Sequence, residues 1–189
     1  MEMDIINKIF PQTSHMEKLQ YDLEGLWSIS LPNDAENISQ IIKIYSGENI
    51  SIFDGMGGLG GNIISFSKHF REVITCELSK TRYEMLINNM NVYNLKNVKI
   101  INDDCLNHIN NLYDVYFFDP PWGGPNYKNN IKTTIKIGNY NLYEVIEKIK
   151  SINNALIFMK LPLNYNLEEF TLFNYNINKI KNYYLLTFF

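Results

Sequence analysis

Short apolar runs alternate along this chain with stretches of helical periodicity. After Pro32 a helix is expected over residues 33–46, with Ile38, Ile41, Ile42 and Tyr45 at helical spacing. Asn33 is its candidate N-cap and Gly47 its stop. Residues 50–53 read as an apolar strand, 54–61 as a glycine-rich turn and 62–70 as a helix. A second strand is expected over 73–78. Ser79 then caps a helix whose apolar face includes Tyr83, Leu86, Ile87 and Met90. Strands follow over 98–101 and 115–118, a helix over 142–152, a strand over 155–160 and a short helical piece over 167–173. Residues 175–180 and 184–189 read as closing strands. Residues 1–31 show only weak periodicity, and the chain carries no internal repeat and no low-complexity linker.

Strands that alternate with helices predict right-handed crossovers, hence an α/β domain with a mostly parallel sheet covered by helices on both faces. Ligands in such sheets bind beyond the C-terminal ends of the strands, where the strand order reverses. The two unusual loops, after Phe53 and after Phe118, both fall at strand C-termini and are expected to line one site.

The 189 residues suit one domain, and 46% hydrophobic with 20% charged residues is an ordinary globular composition. No uncharged apolar run approaches the length of a membrane span, so no membrane partner is expected. Glu2, Asp4 and Lys8 argue against a secretory signal at the N-terminus. Two cysteines, Cys76 and Cys105, form neither a metal-ligand spacing nor a disulfide framework, which places the chain in a reducing, intracellular compartment. His15, His69 and His108 are scattered without ligand spacing, so no metal is expected. The net charge is −3, whereas proteins that grip long nucleic acid through its phosphates carry a basic surplus. Any nucleic-acid contact is expected to be short, with an end or a single flipped residue.

Gly55, Gly57 and Gly60 match G-x-G-x-x-G between a strand and a helix, where glycines let the backbone turn sharply and approach a ligand. Glu77, 23 residues beyond Asp54, ends the second strand and can accept two hydrogen bonds from a ribose diol. That pattern alone fits a nicotinamide cofactor, a flavin or S-adenosylmethionine. Asp54 favours the last, because its charge would repel a pyrophosphate and attract a methionine ammonium. Asp103 and Asp104, after the third strand, can accept from an adenine amine, or can simply cap a turn.

Asp119-Pro120-Pro121-Trp122 is the most informative stretch. Two prolines remove two backbone donors and stiffen the loop, which frees its carbonyls for a ligand. A carboxylate and a carbonyl so held can accept both hydrogens of a planar exocyclic amine. An aromatic amine has a delocalised lone pair, so its attack on a methyl sulfonium depends on being held in line. Trp122 can stack on the base being modified, and indole is the best aromatic face for a cation such as a ring-methylated purine.

Asp119-Pro120-Pro121-Trp122-Gly123-Gly124-Pro125-Asn126-Tyr127 resembles the signature of the trimethylguanosine synthases, the cap-specific guanine-N2 RNA methyltransferases. Upstream, Phe53-Asp54-Gly55-Met56-Gly57-Gly58-Leu59-Gly60-Gly61-Asn62 is similar to that family's cofactor loop. Lys18-Leu19 and Glu24-Gly25-Leu26-Trp27-Ser28-Ile29-Ser30-Leu31-Pro32 resemble its segment before the domain. Ile152-Asn153-Asn154-Ala155 and Leu161-Pro162 resemble its late region. One departure is Leu163, where the family often has arginine after Leu-Pro. No long N-terminal extension precedes these motifs, so partner recruitment by that route is not expected.

The resemblance implies a Rossmann-like S-adenosylmethionine-dependent fold with a seven-stranded sheet, divided into an N-terminal segment, residues 1–32, that contributes to the cap site and a methyltransferase domain, residues 33–189. It implies methyl transfer to N2 of 7-methylguanosine in RNA caps by direct displacement, without metal. Trp122 would stack on the base while Asp119 and the Pro120 carbonyl face the amine. Asp54, Gly55, Gly57, Gly60, Asn62, Glu77, Asp104 and Cys105 would hold S-adenosylmethionine. Lys18, Trp27, Ser28, Tyr127 and a late lysine, Lys179 or Lys181, would contact the cap, with Lys160 standing in for the missing arginine on its phosphates. A monomer is expected. Two alternatives remain at this level: an amino-methyltransferase of adenine or guanine in longer RNA or DNA, and a non-catalytic cap-binding module.

Overall fold

The computed structural model describes residues 2–189 except 125, 126 and 129–131, so Pro125 and Asn126 of the proline loop lie outside the described residues. Seven strands form one sheet in the order β3-β2-β1-β4-β7-β9-β8. They are β1 Ser51–Asp54, β2 Glu72–Cys76, β3 Val98–Ile101, β4 Val115–Phe118, β7 Leu156–Pro162, β8 Tyr175–Ile180 and β9 Tyr183–Phe188. The pairings among β3, β2, β1, β4 and β7 are parallel, and β9 pairs antiparallel with both β7 and β8. The strand order reverses between β1 and β4, so the loops that follow these two strands meet at the switch point.

Alternate strand residues feed two apolar layers. Ile52, Val73, Val115 and Phe117 pack with helices α3 Pro32–Ser46, α4 Gly61–His69 and α5 Lys80–Val92. Phe53, Ile74, Tyr116 and Phe118 pack with α6 Leu142–Ile152 on the other face. The central strands are buried along their length, which is why they read as continuous apolar runs. A small antiparallel hairpin, β5 Lys136–Ile137 with β6 Tyr140–Asn141, leads into α6 and carried no local signal.

The helix after Pro32 begins one residue earlier than its polar start suggests. Pro32 stands at N1, where its missing N–H is not needed, Leu31 is the N-cap, and Asn33 therefore lies inside the first turn. Gly47 ends that helix at φ 77°. The piece expected over 167–173 closes as a single 3-10 turn, Leu167–Phe170.

Residues 2–31 form short pieces: α1 Glu2–Ile9, a 3-10 turn Met16–Lys18 and α2 Leu23–Ser28. Ile6, Ile9, Phe10, Met16 and Leu19 join the same core as α3 to α5. Buried Asn89 of α5 ties this segment down. Its Oδ1 accepts from Gln20 N at 2.8 Å, and its Nδ2 donates to Gln20 O at 2.9 Å and to Leu59 O at 3.1 Å. The Tyr93 hydroxyl donates to Pro11 O at 2.5 Å. No helix among the described residues is long and apolar enough to cross a membrane.

Candidate functional site

A cavity of about 430 Å³ opens at the switch point. Its floor is the loop after β1. Its walls come from the ends of β2 and β3, from Asp119 and Pro121 after β4, from Ile29 and Ser30 before α3, and from Ile137 and Gly138 of the hairpin. The two loops singled out by the sequence therefore do line one site.

The glycine loop is held by its own backbone. Gly55 N donates to Phe117 O at 3.0 Å and Gly57 N to Cys76 O at 2.7 Å. Gly60 is the N-cap of α4 at φ 98°, a left-handed conformation that suits glycine, and it offers no side-chain acceptor to the helix. The first amides of α4 thus remain for a ligand at the positive end of the helix.

Asp54 ends β1 beneath this loop, at 1% exposure, and is not on the cavity wall. Its Oδ1 accepts from Met56 N at 2.9 Å, while Oδ2 is buried without a hydrogen-bond partner. Burial pushes its pKa up to about 7, and the neighbouring carboxylates of Asp119 and Glu77 push the same way; the Met56 N–H and the Lys160 ammonium pull it down. Asn62 Oδ1, on a residue of the cavity wall, is a second buried acceptor without a partner. Orphaned acceptors beneath and beside one loop suit a ligand that brings a cationic donor, as the methionine ammonium of S-adenosylmethionine would.

Glu77 stands on the wall at the end of β2, with Oε2 accepting from Gly58 N at 2.9 Å and Oε1 from Ser79 N at 2.8 Å. Each oxygen keeps further acceptor capacity for a diol. Asp104 caps the 3-10 turn Cys105–His108 through Leu106 N at 2.9 Å and also lines the cavity, so the capping and ligand readings are compatible. Asp103 pairs with His108 at 2.9 Å. Cys105 lines the cavity with its thiol buried, and burial pushes that thiol's pKa far up, so it stays protonated. Gly55 and Gly57 line the cavity; Gly60 does not, and faces Met90 and Leu86 of α5. Among the described residues no cluster of metal-ligating side chains occurs.

Asp119 meets Lys160 of β7. Lys160 Nζ lies 2.7 Å from Asp119 Oδ2 and 2.8 Å from Ser30 Oγ, and Ser30 Oγ lies 3.3 Å from the same carboxylate oxygen. Trp122 is half-buried at the seam between the two apolar layers, and its Nε1 donates to Lys160 O at 3.3 Å. Tyr127 meets the indole edge-on, with ring centroids 5.1 Å apart. Trp122 is thus neither tucked wholly into the interior nor part of the cavity wall itself; its neighbours Asp119 and Pro121 are on that wall, and Pro120 is buried.

Lys160, which the resemblance assigns to the cap phosphates, is 7% exposed, with its ammonium held by Asp119 and Ser30. Lys18 is exposed, and its carbonyl accepts from Asn88 Nδ2 at 2.7 Å on α5, off the cavity wall. Trp27 is 79% exposed on α2, whereas Ser28 lines the cavity. Lys179 is exposed on β8, and Lys181 lies in the β8–β9 turn, beside the Pro162 end of β7. The cavity also takes Ser30, Arg82 and Lys136, which local pattern did not single out. Arg82 is paired to Glu24 at 2.9 Å, a contact across 58 residues.

Residues 49–185 match the family described as RNA cap guanine-N2 methyltransferase. The chain belongs to this family, whose members are S-adenosylmethionine-dependent methyltransferases. It is 28% identical over 173 residues to the trimethylguanosine synthase of Schizosaccharomyces pombe, covering 86% of this chain and 71% of that one. It is 35% identical over 139 residues to the uncharacterized protein L320 of Acanthamoeba polyphaga mimivirus, covering 70% of this chain. The match spans only about half of that viral protein, 54%. Solved methyltransferases share the fold. One from Geobacter sulfurreducens superposes with a TM-score of 0.62 at 15% identity, covering 82% of this chain and 77% of that one. The Thermus thermophilus 16S rRNA N2 G1207 methyltransferase, in complex with AdoMet and guanosine, superposes with a TM-score of 0.61 at 13% identity, covering 89% and 43%. The Rossmann-like fold and the family expected from the motifs are both borne out.

Proposed function

We propose that this chain transfers a methyl group from S-adenosylmethionine to the exocyclic N2 amine of 7-methylguanosine at an RNA cap. The observation that carries the reading is the Asp119–Trp122 loop at the switch point, across one cavity from the glycine turn, in a chain of this family. Bound S-adenosylmethionine supplies an electrophilic methyl on a sulfonium. Asn62 would meet its methionine end, with the Asp54 carboxylate attracting that ammonium from beneath the loop, Glu77 its ribose, and Asp104 with Cys105 its adenine. Trp122 would stack on the base after Tyr127 moves aside or closes over it. Asp119 and the Pro120 carbonyl would accept from the amine and hold its nitrogen in line. The chain's contribution is then orientation and a negative charge for the amine as it becomes cationic. The proton leaves after transfer, with Asp119 as its first acceptor. Lys18, Trp27, Ser28, Tyr127 and Lys179 or Lys181 are the candidate contacts of the rest of the cap.

The test is incubation with labelled S-adenosylmethionine and 7-methylguanosine diphosphate or triphosphate, with the product identified by mass and fragmentation. Methyl on N2 is the expected result. Transfer only to long uncapped RNA or DNA would replace this reading with a nucleic-acid amino-methyltransferase. Cap binding without cofactor binding in calorimetry would make the chain a cap-binding module.

A further inference from the structure

Asp119 and Lys160 occupy matched positions on neighbouring strands. Phe118, the last residue of β4, pairs with Met159 of β7, so Asp119, just past the end of β4, follows beside Lys160 of β7. Among the described residues Lys160 is the one buried lysine or arginine. Lysine is rarely buried unless paired, and this one is paired with Asp119 Oδ2 and Ser30 Oγ. Its ammonium also lies near two rings, 5.6 Å from the Trp122 centroid and 5.2 Å from that of Tyr183. Its own carbonyl accepts from the Trp122 indole. One residue thus anchors both the carboxylate, through its side chain, and the stacking ring, through its backbone.

We propose that Lys160 is a positioning residue for methyl transfer: its ammonium, with the Ser30 hydroxyl, commits Asp119 Oδ2 to the protein and presents Oδ1 to the substrate amine. The proposal rests on the amine role given to Asp119 above. Among the described residues no hydrogen bond reaches Oδ1, and Asp119 is on the cavity wall. A planar amine needs one acceptor in a fixed direction, and a carboxylate free to rotate would offer many. A buried ion pair is a weak source of stability compared with apolar packing, so its place beside the reacting centre calls for another reason. Asp54 and Glu77 add two further carboxylates at this end of the sheet. Lys160 is the buried cation that holds Asp119 in one place among them.

The experiment compares the full chain with Lys160→Met, Lys160→Arg, Asp119→Asn and the double variant Asp119→Asn/Lys160→Met. Single-turnover transfer to 7-methylguanosine diphosphate is read beside the affinities for S-adenosylmethionine and for the cap compound. Lys160→Met keeps the backbone bond to Trp122, so both affinities should stay within about threefold while the rate falls by about 10²-fold, the scale of a misplaced reacting group. Lys160→Arg should recover most of that loss. Because Lys160 acts through Asp119, the double variant should be no slower than Asp119→Asn alone. A wild-type rate in Lys160→Met, or losses that multiply in the double variant, would overturn the proposal. If Lys160→Met does not fold, the double variant, which leaves no unpaired buried charge, and Lys160→Arg decide it: a double variant slower than Asp119→Asn, or an inactive Lys160→Arg that binds both ligands normally, overturns it. A wild-type chain that methylates no cap compound refutes the function instead, so the two failures are told apart.

Discussion

Gly61 and Ser30 touch across the first turn of α4: a Cβ built on Gly61 would lie 2.6 Å from Ser30 O and 2.7 Å from Ile29 Cγ1. The absence of a side chain at Gly61 lets the N-terminal segment lie flat on the cofactor loop. That contact also brings the Ser30 hydroxyl to Asp119 and Lys160. Gly61→Ala should push the segment away, at a cost of about 1–3 kcal/mol in stability, the range for overpacking. Thermal unfolding should show the loss, and methyl transfer should slow more than cofactor binding weakens. Unchanged unfolding together with unchanged transfer would show that the segment adapts without consequence.

The proposed place of Asp54 beneath the cofactor makes binding depend on pH. Its pKa in the ligand-free protein is about 7, above the ordinary carboxyl range, because the group is buried. A cationic ligand favours the ionised form, so binding S-adenosylmethionine below pH 7 should release a proton. Affinity should rise roughly tenfold between pH 6 and pH 8. Calorimetry in buffers of different ionisation enthalpy measures that proton directly. Asp54→Asn should weaken binding and flatten its pH dependence; a variant that keeps the slope would assign the proton elsewhere. The same shift bears on stability. The folded chain holds this proton from about pH 4 to pH 7 while the unfolded chain has lost it, so this contribution is present at low pH and fades as pH rises through that window. Asp54→Asn should therefore stabilise the ligand-free protein at pH 8 more than at pH 5, as read by melting temperature.

The parts of this molecule that were legible in the sequence are those whose physics is local. Residues 98–101, 115–118 and 142–152 take the expected structure to the residue: 115–118 is a parallel strand buried along its length, 98–101 is a half-buried edge strand rich in β-branched residues, and 142–152 is an amphipathic helix. The topology assigns strand C-termini to a cavity before any contact is known, and of the carboxylates expected there Glu77, Asp104 and Asp119 do lie on its wall while Asp54 lies beneath the glycine loop. The N-terminal helices were not legible. They are short, and what orders them is buried apolar contact plus Asn89 and Tyr93, which lie some 70 to 80 residues away. The inward turn of Lys160 depends on Asp119, 41 residues off, and on Ser30, 130 residues off.

Trp122 separates stacking from packing. Its indole contacts both apolar layers and Tyr127, so removing it costs some stability as well as a base platform. Trp122→Phe keeps an aromatic face and most of the packing, whereas Trp122→Ala keeps neither. Base–aromatic stacking is worth about 1–3 kcal/mol, so Trp122→Ala should weaken cap binding by roughly tenfold or more. Cofactor affinity should survive in both variants, since Trp122 does not line the cavity proposed to hold the cofactor. Normal turnover in Trp122→Ala would remove the stacking role.

The charge on the base is the last discriminator. A guanine methylated on its ring nitrogen is cationic, and a desolvated cation over an indole gains about 1–2 kcal/mol over a neutral ring, which is tenfold or more in affinity. Lys160 already brings an ammonium to 5.6 Å from that indole, which by itself would repel a second cation. Asp119 at 2.7 Å neutralises it, so the indole presents its face to the base beside an ion pair and not beside a bare charge. The preference for 7-methylguanosine over guanosine caps should therefore depend on Asp119 as well as on Trp122. Competition between the two cap compounds should show at least a tenfold preference in the wild type and a smaller one in Asp119→Asn, where Lys160 is left unneutralised. Equal affinity for both compounds in the wild type would remove the cation argument, and an undiminished preference in Asp119→Asn would confine it to the indole alone.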